Sequence, residues 1–281
     1  MKVYAGQVNE EQAEAKAKVM ADIRDTIFYD GNYPTSGDDC SRRGARNYDY
    51  GNYVFKIDAN GSVNVNNPPK YISQSETKNF DIKEVTNGDI SSCSCQSASF
   101  SMIILALGNV NYIIEEKGIP LATSSSCPEI NKYHATIHYY MVGLNLQYGG
   151  WHSGASGNRC GGIQQISAIS EEDRKGLGIK IGPKHITGNA DKMIKYLRNG
   201  WLIQYHITPN GCALGSSNCQ GLGQTNSGHY GLIYGYDSTK NVFLVHDNGN
   251  ASRESATASY DVVNNYLSDF FPISVYGKED I

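Results

Sequence analysis

The sequence predicts an α+β fold, and three observations carry that prediction. Ser97 to Leu107, SASFSMIILAL, is an apolar run of small and aliphatic residues that stops at Gly108. Ala190 to Arg198, ADKMIKYLR, has helical spacing and is stopped by Asn199-Gly200. Four strand-like runs then follow: Trp201 to Ile207, His229 to Tyr236, Val242 to His246 and Ile273 to Tyr276. Helices come first and antiparallel strands come after. At 281 residues the chain is long enough for a sizeable core. About 150 residues per domain allows one large or two small domains.

Taken in order, residues 8 to 28 read as a helix rich in Ala, Glu and Lys, with Val19, Ile23 and Ile27 at a spacing of four. Asn32 to Asn47 is a polar, Gly-rich loop that contains Cys40. Tyr53 to Ile57 and Ser62 to Val65 flank Asp58-Ala59-Asn60-Gly61, a hairpin pattern. Asn66 to Lys83 is polar, carries Pro68-Pro69 and reads as a linker or extended arm. The division expected is an N-terminal extension over 1–83 and a main domain over 84–281. Ser97 to Leu107 is apolar on nearly every side, so it should be buried. Glu129 to Gln147 reads as a further helix.

Composition narrows the function classes. Apolar residues make up 40% and charged residues 19%, which argues against global disorder. The net charge of −4, with no basic run, argues against a nucleic-acid partner. Met102 to Leu107 is the longest apolar stretch, far short of the roughly 20 residues that span a bilayer. The first thirty residues carry charges throughout, so no secretory signal is expected within them. The abundance of Asn, Tyr and Gly over Lys and Arg is a cue to an exported, bacterial protein.

Seven cysteines are present: Cys40, Cys93, Cys95, Cys127, Cys160, Cys212 and Cys219. In an exported protein an odd count leaves one thiol unpaired, and that thiol is a candidate nucleophile. A disulfide is expected between Cys212 and Cys219, with two more among Cys40, Cys93, Cys127 and Cys160. No cysteine pair has the two-residue gap typical of zinc sites, and the His134/His138 pair lacks the adjacent Glu of a metalloprotease, so no metal is expected.

Three residues form a chemically coherent set. Cys95 opens the buried helix, where the positive end of the dipole favours thiolate. His229 begins one strand and can pair with that thiol and protonate a leaving group. Asp247 closes the next strand and can fix the His ring. Antiparallel pairing through the turn at 236–240 brings the start of one strand beside the end of the other, which sets His229 against Asp247. His246 should point to the opposite face and be structural. Cys160, before Gly161-Gly162, lacks a long buried helix behind it.

The strings NGWLIQYHI, SGHYGLIYGYD and NVFLVHDNGN resemble the second half of a papain-superfamily cysteine peptidase. Their nearest likeness is the bacteriocin-processing, double-glycine peptidase branch. Cys95 to Met102, CQSASFSM, resembles its nucleophile helix, and the likeness covers roughly 85 to 250. The resemblance implies a papain-like fold, a Cys–His–Asp triad and cofactor-free hydrolysis of a peptide or protein substrate. Gln96-Ser97 stands where the branch usually has Gly-Pro. The superfamily's oxyanion Gln lies six residues before the Cys. That offset reaches Asp89 from Cys95 and Asn87 from Cys93, so Asn87 is the oxyanion candidate and Cys93 a rival nucleophile. Helix phase favours Cys95, whose partners Ala98, Ser99, Met102 and Ile103 are small or apolar. The extension is a candidate propeptide or protein-binding arm. A different class, a non-catalytic secreted interaction or virulence protein on the same scaffold, is the alternative.

Overall fold

The computed structural model describes residues 27–28, 69, 71–72, 74, 81–82, 95–107, 112, 151–152, 159–160, 169–186, 189–207, 228–249 and 256–281. The hairpin read at 53–65, the helix read at 129–147, Cys93 and Asn87 lie outside these residues.

The elements, in chain order, begin with β1 (Ile27–Phe28) and β2 (Asp81–Ile82), which pair with each other. Then come α1 (Cys95–Leu107) and a second two-stranded ribbon, β3 (Trp151–His152) with β4 (Arg159–Cys160). The remainder is α2 (Glu171–Leu177), β5 (Ile179–Ile181), β6 (His185–Ile186), α3 (Ala190–Arg198), β7 (Leu202–Ile207), β8 (His229–Asp237), β9 (Val242–His246), β10 (Ala256–Ser259), α4 (Tyr260–Tyr266) and β11 (Asp269–Val275). A seven-stranded sheet runs β10-β9-β8-β7-β11-β5, with β6 also on β11, and every pairing is antiparallel.

Two expectations change. Ile27 and Phe28 were expected at the end of a helix, yet they are a strand paired to Ile82 and Asp81. A β-branched and an aromatic residue accept a pleated pairing once a partner strand is at hand. Part of the stretch read as a linker is packed instead. Ile72 is fully buried in the core, the Tyr71 hydroxyl donates to the Asp247 carbonyl at 3.0 Å, and the Gln74 N–H donates to the Asn248 carbonyl at 2.9 Å.

The sheet has a core on each face, as strand alternation requires. Leu202, Leu232 and Tyr234 face α1, where they meet Ala98, Met102 and Ile103 together with Ile72 and Phe271. Ile203, Tyr205, Ile233, Phe243 and Val245 face the other way, against Met193, Ile194 and Leu197 of α3 and Val263 of α4. Fully burying one such Leu, Ile or Phe side chain contributes roughly 1.5–3 kcal/mol. Ser97, Ser99 and Ser101 of α1 are buried. The Ser99 and Ser101 hydroxyls donate back to the Gln96 and Ser97 carbonyls at 2.9 and 2.7 Å. Their small size lets the helix lie close to the sheet. On the other face Gly231 makes room for Tyr205, since a Cβ there would stand 2.3 Å from the Tyr205 hydroxyl.

Local chemistry sets the helix ends. Asn189 accepts from the Lys192 N–H at 2.9 Å and starts α3, while Gly200, at φ 75°, lies just past its end. Ser170 accepts from the Asp173 N–H at 3.0 Å and starts α2, and Gly178 ends it at φ 70°. In the β8–β9 turn the Asp237 carboxylate accepts from the N–H groups of Thr239 and Lys240 at 3.0 and 3.1 Å. That turn fixes the register on which the site depends.

Candidate active site

The three residues singled out above meet at one end of the sheet. Cys95 is the first residue of α1, is half-buried and is a free thiol. His229 begins β8 and is 5% exposed. Asp247 follows the last residue of β9 and is 2% exposed. Asp247 Oδ1 lies 2.8 Å from His229 Nε2 and also accepts the Gly249 N–H at 3.0 Å. With Nε2 engaged, the other ring nitrogen remains for Cys95, which is hydrogen-bonded to the His229 side chain.

The protonation states follow from burial set against these bonds. Burial by itself pushes the Cys95 thiol up. The hydrogen bond and charge of His229, with backbone bonds from Tyr230 and Gln96, outweigh that and hold it below its ordinary value. Burial likewise pushes His229 down. Its hydrogen bonds to Asp247 and Cys95, and the charges of both, overcome this and raise it to about 10. Between the thiol's lowered value and that of His229, the pair is thiolate and imidazolium.

His246 stays out of the triad: it stands opposite Leu232 in the strand pairing and so lies on the face that meets α1. It is fully buried, its Nε2–H donates to the Pro69 carbonyl at 2.6 Å, and its ring packs between Tyr71 and Tyr234. Burial lowers it to about 4, against only partial help from that carbonyl, so it is neutral in the folded protein. The unfolded chain takes up this proton below about pH 6.5 and the folded chain only below about 4. Its contribution to stability is therefore present above about pH 6.5 and is lost as pH falls toward 4, by about 3 kcal/mol at most. His246→Gln, which can still donate but does not titrate, should melt with a shallower loss over that range. Equal slopes for the two proteins would contradict this.

Three supporting residues were not anticipated from the sequence. Asn248, fully buried, donates from Nδ2 to the Cys95 carbonyl at 2.7 Å. Gln204, in β7, donates to the Gln96 carbonyl at 3.1 Å and to the Ser99 hydroxyl at 2.7 Å. Tyr230, next to His229, stacks on His206 with centroids 4.3 Å apart, and His206 Nδ1 meets Asp269 at 3.0 Å. The sequence signal for Asn248 is its adjacency to Asp247. For Gln204 it is a polar residue in an otherwise apolar strand.

A helix-leading thiol joined through a His to a buried carboxylate is the arrangement of a thiol hydrolase. The sequence profile of the peptidase C39-like family matches residues 67–274. The chain belongs to that family and is a cysteine peptidase. It is similar to the crystal structure of xylellain, a cysteine protease from Xylella fastidiosa. That similarity has 13% identity, covers 74% of this chain and 84% of that one, and has a TM-score of 0.36. No curated protein sequence matches the chain. Among the described residues no helix is long and apolar enough to cross a membrane. No group of three or more His, Cys, Asp or Glu among them could hold a metal ion.

Proposed function

We propose that the protein is an exported bacterial peptidase or related amide hydrolase in which Cys95, His229 and Asp247 are the catalytic triad. The observation that carries this reading is the continuous link from the Cys95 thiol through His229 to Asp247 Oδ1, with 2.8 Å in its second half. The Cys95 thiolate attacks the substrate carbonyl carbon, and the C=O electrons move onto oxygen. As the C–N bond breaks, imidazolium His229 gives its proton to the departing amine and a thioester remains on Cys95. Neutral His229 then takes a proton from water, the hydroxide attacks the thioester, and the acid product leaves as the thiolate is restored. Asp247 holds the ring and favours its cation throughout.

The oxyanion is assigned to the Cys95 N–H, a donor of the first helical turn, together with the Asn87 side chain. The extension over 1–83 is the candidate protein-binding or propeptide segment, and within it Pro69, Tyr71 and Gln74 bond to residues 246–248. A purely binding role on this scaffold fits less well with a half-buried, free thiol held to a His.

Iodoacetamide tests this reading. Cys95 should be alkylated fastest of the seven cysteines, and already near pH 6, where a thiol of ordinary pKa about 8.5 is mostly protonated. Alkylation concentrated on Cys93, or no fast phase at pH 6, would overturn it.

A further inference from the structure

We propose that Asn248 is a positioning residue that acts on the nucleophile through the Cys95–Gln96 peptide group. This rests on Cys95 being the nucleophile. Asn248 Nδ2 donates to the carbonyl of that peptide at 2.7 Å, and the N–H of the same peptide, on Gln96, bonds to the Cys95 sulfur. A donor on the carbonyl side of an amide withdraws electrons through it and makes its N–H a stronger donor, the cooperative effect of linked hydrogen bonds. The amide of Asn248 thus reaches the thiolate in two steps without touching it.

Two further features favour this role over simple packing. Asn248 is fully buried, and its Oδ1 has no hydrogen-bond partner among the described residues. Asn248 also directly follows Asp247, so one strand end holds the base through one side chain and the nucleophile's own peptide through the next. The Gln74 N–H on the Asn248 carbonyl, at 2.9 Å, fixes that strand end from behind.

Among the described residues few other charges bear on the sulfur. α1 carries no ionisable side chain besides Cys95. His229 acts on Cys95 directly, with Asp247 behind it. His246 lies on the α1 face but is bonded to the Pro69 carbonyl between Tyr71 and Tyr234 and is neutral, and His206 stacks on Tyr230 with Asp269 and Lys184 bonded in series.

The test is the pH profile of Cys95 alkylation by iodoacetamide in the full chain, with folding followed by melting. In Asn248→Ala the acid limb should move up by roughly 0.2–0.6 pH unit, as expected if a charge-assisted bond to the sulfur loses 10–30% of its strength. Asn248→Asp should move it further, because it adds negative charge near the thiolate. Gln204→Leu removes a tie to the same helical turn, but to the next peptide, and the Ser99 hydroxyl still holds the Gln96 carbonyl. Its limb should stay in place even if melting falls.

An unmoved limb in folded Asn248→Ala, or an equal shift in Gln204→Leu, overturns the relay while leaving the triad standing. A wild-type profile with no acid limb overturns both. Should the Asn248 variants not fold, NMR of the unmutated chain decides. The Gln96 amide proton and the Asn248 side-chain amide protons should shift together across the acid limb. Asn248 protons that do not respond overturn the relay.

Discussion

Cys95→Ser and His229→Ala should each reduce turnover of a peptide substrate on the order of 10⁴-fold or more, with folding retained. The serine keeps the shape of Cys95, but its hydroxyl is far less acidic than a thiol. His229 cannot hold it ionised by the same ion pair. The alanine at 229 removes both the partner that lowers the thiol and the acid that protonates the leaving amine. His229→Ala should therefore lose alkylation at pH 6 as well as activity, while Cys95→Ser loses the alkylation site itself. In the wild type the alkaline limb of activity should approach pH 10, because His229 stays protonated until about that value. Equal activity in wild type and His229→Ala would contradict the assignment.

The second large effect lies at Asp247, where two substitutions should diverge. Its Oδ1 receives both the His229 Nε2 bond and the Gly249 N–H. Asp247→Asn can present its amide oxygen to the same two donors. It does not depend on choosing a tautomer, because imidazolium His229 carries a proton on Nε2 in either case. Its loss should stay within about tenfold, less than where a neutral His must be held in one tautomer. Asp247→Ala leaves the ring free to turn and strands the Nε2–H of the buried His229. It should lose about 10²-fold or more in turnover and roughly 1–3 kcal/mol in stability. Steady-state kinetics with parallel melting separates the two losses. If Asp247→Ala is fully active while folded His246→Gln is inactive, the strand register of the proposed triad is wrong.

The parts of the site legible in the sequence are those whose cause is local. An apolar run with a Cys at its head places a thiol at a helix N-terminus, and α1 does begin at Cys95. Alternation along VFLVHD separates His246 from Asp247, and the short turn at 237–240 sets His229 opposite. What was not legible depends on contacts distant in sequence. Nothing near Asn248 shows that its side chain reaches a carbonyl far back in the chain, since an Asn before Gly at a strand end reads as a turn residue. The packing of Pro69, Tyr71 and Gln74 against 246–248 was hidden in the same way. It is made largely by backbone groups, which leave no residue pattern. Helix α2 was missed although Ser170 and Asp173 form a capping pair, because its seven residues carry almost no apolar periodicity. Ile27–Phe28 continued a helical spacing, and only the pairing with Asp81–Ile82 turns them into a strand.

The central claim is that Cys95, activated by His229, is the attacking group. The most direct measurement incubates the native full chain with a peptide carrying a thiol-reactive electrophile and locates the adduct by mass spectrometry. The account predicts a single adduct on Cys95 that is strongly slowed in His229→Ala. An adduct on Cys93 or another cysteine, or labelling that appears only after unfolding, would contradict it.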